Sequence, residues 1–365
     1  MPEPSELHPV SRQHLEVMTD EVGILQHAIG SRPDPVHGYC TDDVARALQV
    51  DLLHQWELGW PAVSDNAWRS LRFLGDAFVA ATGRFRNFRS MDGSWTEGVA
   101  SEDSHGRAML ALGDTIAEAP DGGMVELATS LFERALPAAR TLTSLRAQAS
   151  VLLGCTASAQ AAPNAAAAVG FRDMAGLFRT RFETPLDPAW PWPEPSLTYE
   201  NALPARALIV AGRTLGSDEM IDTGLGVLDW QLDTQTTIDG HLSTIGNGWW
   251  PRGGAKSRFD QQPIEATALL LAAESAYLVT ADDRYRAAME LAYAWFLGGN
   301  DLGLAVADPM RGAGYDGLTA GGVNTNQGAE STLMWLIAAE HLRTNRHGHV
   351  AATAPTEMAL AGSIA

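Results

Sequence analysis

The chain has a single lysine, Lys256, among its 25 basic residues, set against 44 Asp and Glu in 365 residues. A formal net charge of −19 leaves no basic footprint for a nucleic-acid scaffold. The same balance works against adsorption to an anionic membrane surface. Cysteine is nearly absent: Cys40 and Cys155 cannot build a disulfide framework, and a chain of this size does not need one. There is no HExxH, no paired CxxC and no EF-hand spacing, so no metal is expected. No GxGxxG or GxxxxGK[ST] loop follows a strand and no G-x-S-x-G elbow occurs, so no nucleotide cofactor and no serine-hydrolase chemistry is expected. No run of about 18 apolar residues is present, and the Ala-rich stretch around 160–170 is too short and small-residue to span a bilayer. The first residues, MPEPSELHPVSRQ, show neither a basic n-region nor an apolar h-region, so the chain reads as soluble and cytoplasmic. Residues 346–365 are Ala/Thr/Pro-rich without periodicity and read as a disordered tail.

What the chain does have is helical periodicity, in two kinds of segment that take turns. Amphipathic segments with a charged face fall at about 9–28, 64–81, 124–139, 168–182, 217–233 and 283–297. Segments apolar nearly all round fall at about 42–55, 103–117, 143–156, 200–213, 263–279 and 328–343. A helix with one polar face lies outside and one apolar all round is buried. Six of each, alternating, predict an all-α (α/α)6 toroid with the apolar set as its inner ring and one domain over 1–345. The connections leading into the apolar segments are long, at 29–41, 82–102, 183–199, 234–262 and 298–327, and long ordered loops usually carry function.

Five of the six apolar segments open on carboxylates: Asp42 and Asp43, Glu102 and Asp103, Glu200, Glu265, and Glu330. Acidic residues suit a helix start through capping and the macrodipole, with Thr41 and Ser101 as caps and Pro263 at a first helical position. Capping alone does not explain why they would all converge on one cavity. Crowded carboxylates push one another's pKa values apart, the condition for a general acid beside a general base. The loops add Tyr39, Trp192, Tyr199, Trp249 and Trp250 as flat platforms, and Asn201, Gln262, Asn326 and Gln327 as amides for hydroxyl groups. Carboxylates, amides and aromatic faces together fit a polyhydroxylated sugar. His37, His105, Arg107, His241 and Arg252 complete the expected pocket. Asp43, Asp103, Glu200, Glu265 and Glu330 are the expected catalytic set, with Glu265 as acid and Asp43 as base, and Asp42 or Glu102 as a hydroxyl-binding or pKa-tuning partner.

The strings DEVGILQHA, HGYCTDDVARAL, GRFRNF, SEDSHGRA, GNGWWPRGG, FDQQPIEA, AWFLGGNDLGL and NQGAESTL, spread from about residue 12 to 343, resemble a bacterial family of six-hairpin, glycosidase-like proteins. Members often occur beside, or fused to, a GT-B glycosyltransferase. The resemblance implies an (α/α)6 toroid, a role in carbohydrate metabolism and a glycosyltransferase neighbour as partner. Two positions depart from the pattern: Val44 stands where Asn is expected, and Glu200 where Asp is expected. The leading expectation is an inverting glycoside hydrolase acting on an oligosaccharide or glycoside without a cofactor. The alternatives are an inverting phosphorylase with an anion site at Arg252, Lys256 and Arg258, a sugar epimerase working through His105 and His241, and a non-catalytic glycan-binding partner of a glycosyltransferase.

Overall fold

The computed structural model describes residues 9–96, 101–162, 165–183 and 187–353. Six inner helices carry the apolar segments: α2 (Thr41–Leu58), α4 (Glu102–Glu118), α6 (Leu145–Ala161), α8 (Leu203–Leu215), α10 (Pro263–Thr280) and α12 (Ala329–Thr353). Five long outer helices alternate with them: α3 (Trp60–Ala77), α5 (Gly122–Ala139), α7 (Ala165–Arg179), α9 (Asp218–Gln235) and α11 (Asp283–Phe296). Each inner helix packs on the next, and α12 returns to α2, so the ring closes. The local signals explain the boundaries. Ser101, Asp121, Ser217 and Asp282 accept first-turn amides at the starts of α4, α5, α9 and α11. Pro263 takes the first position of α10, and Gly216 ends α8 in the left-handed region. Thr41 is not the expected cap: it is already helical, and its hydroxyl donates to the carbonyl of Arg86 at 2.6 Å.

The sixth outer position departs from the periodicity. Instead of a helix over 9–28 there is the short α1 (Gln13–Met18) and an antiparallel hairpin of β1 (Leu25–Ile29) and β2 (Arg32–Cys40) turning at Gly30, whose φ is 60°. Just past Met18 the Asp20 side chain accepts the amides of Val22 and Gly23, turning the chain out of the helix. The long loops contain short strands that the sequence pattern did not show. They are β3 (Phe78–Val79), β4 (Arg84–Phe85), β5 (Phe88–Arg89), β6 (Ser196–Leu197), β7 (Trp250–Pro251), β8 (Ala307–Asp308), β9 (Ala313–Gly314), β10 (Gly317–Thr319) and β11 (Gly322–Asn324). All pair antiparallel, and two or three residues are too few to display alternation. Helix α12 continues to Thr353, so the expected tail is helical at 346–353, and its remainder lies outside the described residues.

Helices α4 and α6 meet backbone to backbone because small residues face each other. A Cβ on Gly154 would lie 2.4 Å from the Met109 carbonyl oxygen, and one on Gly113 would lie 2.3 Å from that of Gly154. Gly154→Ala is therefore expected to destabilise the fold by about 1–3 kcal/mol through overpacking. Gly226→Ala, on α9 where an added Cβ meets nothing within 4 Å, is expected to stabilise by about 0.5–1 kcal/mol. Urea unfolding of the two variants checks the opposite signs, and equal effects would refute the contact.

Candidate functional site

The long loops and the starts of the inner helices share one end of the ring, and charged side chains gather there. At the start of α2, Asp43 accepts from Nη1 of Arg46 at 2.9 Å, while Nη2 of the same guanidinium lies 2.8 Å from Glu330 at the start of α12. Arg46 thus clamps two carboxylates from helices at opposite ends of the sequence. Burial pushes Asp43 up to about 7, and Glu330 and Asp42 add to the shift against the pull of Arg46. Burial also raises Asp42, whose charged form the guanidinium groups of Arg107 and Arg46 favour. Its Oδ1 is buried without a hydrogen-bond partner. Glu330 keeps 40% of its side chain exposed.

The neighbouring cluster centres on a strained turn. Glu200 precedes α8 with φ at 47°, outside the usual range for a residue with a side chain. It receives both terminal nitrogens of Arg107, at 2.5 and 3.2 Å. Such a backbone persists only where its surroundings over-determine it, and here they do. Glu265 of α10 accepts the Glu200 N–H and, at 2.9 Å, the Asn201 side-chain amide. Arg146 of α6 donates to the Tyr199 carbonyl at 2.6 Å, to Glu194 at 2.6 Å and to the Asn201 side chain at 3.0 Å. Gln231 of α9 donates to the Asn201 carbonyl at 2.8 Å. The Tyr199 hydroxyl donates to Asp103, which also accepts from Ser144 at 3.0 Å. Burial lifts Glu265 to about 7, against the hydrogen bonds from Asn201 and Glu200.

The structure thus brings Asp42, Asp43, Asp103, Glu200, Glu265, Glu330, Arg107, Tyr199 and Asn201 into one connected region. Several other expected residues do not join it. Tyr39 is buried against Phe73 and donates to Asp20 at 2.6 Å, so it is core. Trp192 is the exception among the loop aromatics: it is buried with its indole N–H on the Ser196 carbonyl, and its ring lies 5.7 Å from the Arg146 guanidinium. His105 is fully buried beside Phe85, and burial pulls it down to about 4. Glu102 accepts the amides of Thr143 and Ser144 at 2.7 and 2.6 Å, which ties down the entry to α6. His37 lies on β2 edge-on to His27, and His241 is held by Thr237 at 3.0 Å. Asn326 and Gln327 bind the turn at Gly30 through the Asn326 side chain and the Gln327 amide. Gln262 is the residue before α10 and makes no side-chain cap. Trp250 stacks on Trp230 and meets Trp190 edge-on, whereas Trp249 stays 47% exposed. Cys40 is buried, and burial holds its thiol well above its ordinary range, as suits a small core residue.

Arg46 and Arg146 were not among the expected site residues. Their signal was available: an arginine inside a helix that is otherwise apolar all round must find a partner. The loop cations expected as an anion site are committed to other groups. Lys256 donates to the carbonyls of Thr234 and Ser243, both at 3.1 Å, Arg252 pairs with Asp187 at 2.6 Å and Arg258 with Asp301 at 2.9 Å. Among the described residues, no group of three His, Cys, Asp or Glu side chains could hold a metal ion, and no helix is long and apolar enough to cross a membrane.

Solved structures share this architecture. A cellobiose 2-epimerase from Spirochaeta thermophila superposes with a TM-score of 0.68 at 15% identity, over 90% of this chain and 92% of that one. A sugar epimerase from a ruminal bacterium gives 0.69 at 14%, over 90% and 94%. A GH76 α-mannanase from Bacteroides thetaiotaomicron gives 0.62 at 8%, over 93% and 95%. The chain has their (α/α)6 fold. No protein-family model matches it, and neither does any curated protein.

Proposed function

We propose that the chain is a carbohydrate-active enzyme, an inverting glycoside hydrolase in which Asp43 is the general acid and Glu330 the base that activates water. The observation that carries this reading is the Arg46 clamp. One guanidinium stands between two carboxyls from different helices, and inversion needs such carboxyls apart, by about 6.5–9.5 Å, to admit the water. Asp43, pushed to about 7, retains a proton to give to the leaving oxygen. Glu330, the partly exposed member, is open to the water. This reverses the role expected for Asp43 from sequence. It also relieves Glu265 of the acid's role, since both its oxygens are engaged by the 200–201 turn. Asp42, with its unpartnered oxygen, is assigned to a sugar hydroxyl. The neighbouring folds support a sugar substrate, since their names include sugar epimerases and an α-mannanase. The epimerase alternative is not favoured, because His105 is sealed beneath Phe85 and His241 is tied to its loop.

Incubation with a panel of α- and β-linked gluco- and manno-oligosaccharides, followed by NMR, tests the reading. The first-formed product is expected in the inverted anomeric configuration. Retained configuration would overturn the mechanism, and tight binding without turnover would overturn the enzyme. The pH dependence has a definite sign. Asp43 must be protonated to act, so kcat/KM is expected to fall as pH rises through about 7. A profile flat from pH 6 to 8.5 would remove Asp43 from the acid's role.

A further inference from the structure

A cavity of about 340 Å³ opens at the other end of the ring, among the last turns of the inner helices. Its floor is the underside of Arg46, Arg107 and Glu200, and its walls include Leu53, Leu110, Leu271, Met334 and Ile337. At its rim Trp56 is 73% exposed and Leu278 57% exposed. Large apolar side chains left in water around an apolar hollow mark a binding surface.

The charges lining the cavity are nearly all spent within the protein. Arg46 is taken by Asp43 and Glu330, Arg107 by Glu200, and Glu274 lies 2.6 Å from His341. Asp114 accepts the Gln49 amide at 2.7 Å, and burial raises its pKa, which favours its neutral form. Glu118 stands exposed at the outer edge. Arg206 of α8 is the exception. It lines the cavity and feels the charge of Asp114, but its side chain makes no hydrogen bond among the described residues, and its buried Nε–H has no acceptor. A buried guanidinium N–H without an acceptor is costly, and a ligand carboxylate or phosphate would satisfy it with a charge-assisted bond.

We propose that this cavity binds an amphiphilic anion, its acidic head on Arg206 and its apolar body along the leucine, methionine and isoleucine walls toward Trp56. The site is separate from the carboxylate cluster at the loop end and shares only its floor, so it does not depend on the hydrolase reading. A fatty carboxylate and an alkyl phosphate have the chemistry in common.

Calorimetric titration of the full chain with sodium decanoate, decyl phosphate, decylamine and decanol tests it. One of the two anions is expected to bind at least tenfold more tightly than decylamine, and which of them does so identifies the head group. Arg206→Gln is expected to weaken that anion at least tenfold while leaving decanol unchanged. Decylamine binding as tightly as the anions, or an Arg206→Gln variant with unaltered anion affinity, would overturn the proposal. Should Arg206→Gln fail to fold, Arg206→Lys, which keeps the charge and loses the fork, is expected to bind more weakly than wild type but still to prefer anion over amine.

Discussion

Asp43→Asn is expected to lower kcat/KM by about a hundred- to ten-thousand-fold on any glycoside the wild type hydrolyses, the usual worth of a positioned proton donor. The substitution is conservative in the right sense. An asparagine carbonyl can still accept from Nη1 of Arg46, so the clamp to Glu330 keeps its geometry while the proton is gone. The loss should be smallest on substrates with a good leaving group such as a nitrophenolate, which needs no protonation. The alkaline limb of the pH profile should vanish with the carboxyl. Glu330→Gln should lose activity to a similar extent but without sparing nitrophenyl glycosides, because a missing base affects attack rather than departure. If Asp43→Asn retained more than a tenth of wild-type activity on natural linkages, Asp43 would not be the acid.

The second large effect is on stability. Arg107→Met should cost about 3–5 kcal/mol, because it leaves the Glu200 carboxylate buried with its charge uncompensated. The damage is compounded by the backbone at Glu200, whose left-handed φ is held by Glu265, Arg146 and Gln231 acting together on the turn. Adding Glu200→Gln to Arg107→Met should recover much of the loss, since an amide is far cheaper to bury than a lone charge. Urea unfolding of the single and double variants makes the comparison. A single variant within 1 kcal/mol of wild type would mean that the pair contributes little, and that Glu200 finds other solvation.

The inner ring was legible in the sequence because all-round apolar segments can only be interior, and their acidic openings set the end at which they begin. The same property hid much of the site. A helix apolar on every side has no polar face, so its pattern cannot say which residues look toward the axis. On α4, His105 and Arg107 are two positions apart and go opposite ways, one under Phe85 and the other to Glu200. Both looked like site residues. Tyr39 was misplaced for a related reason. The long connections pack onto the core of the ring itself, and a loop aromatic is then as apt to be filling as platform. Glu200 was legible as a residue but not as a turn. Its backbone is set by partners on α6, α9 and α10, which no local propensity records. The expected outer helix over 9–28 failed past Met18, where Asp20 caps a turn that leads the chain into the β1–β2 hairpin.

The Arg46 clamp also has a meaning in time. Asp43 lies near the beginning of the fold and Glu330 on its last helix, so the two carboxylates meet only across the seam where α12 returns to α2. Contacts this distant in sequence carry the loop-closure cost of nearly the whole chain. A partly built ring could hold five inner helices in place and still have Asp43 without its counterpart. The carboxylate pair is therefore assembled only where the circle closes, across the seam between its first and last inner helices.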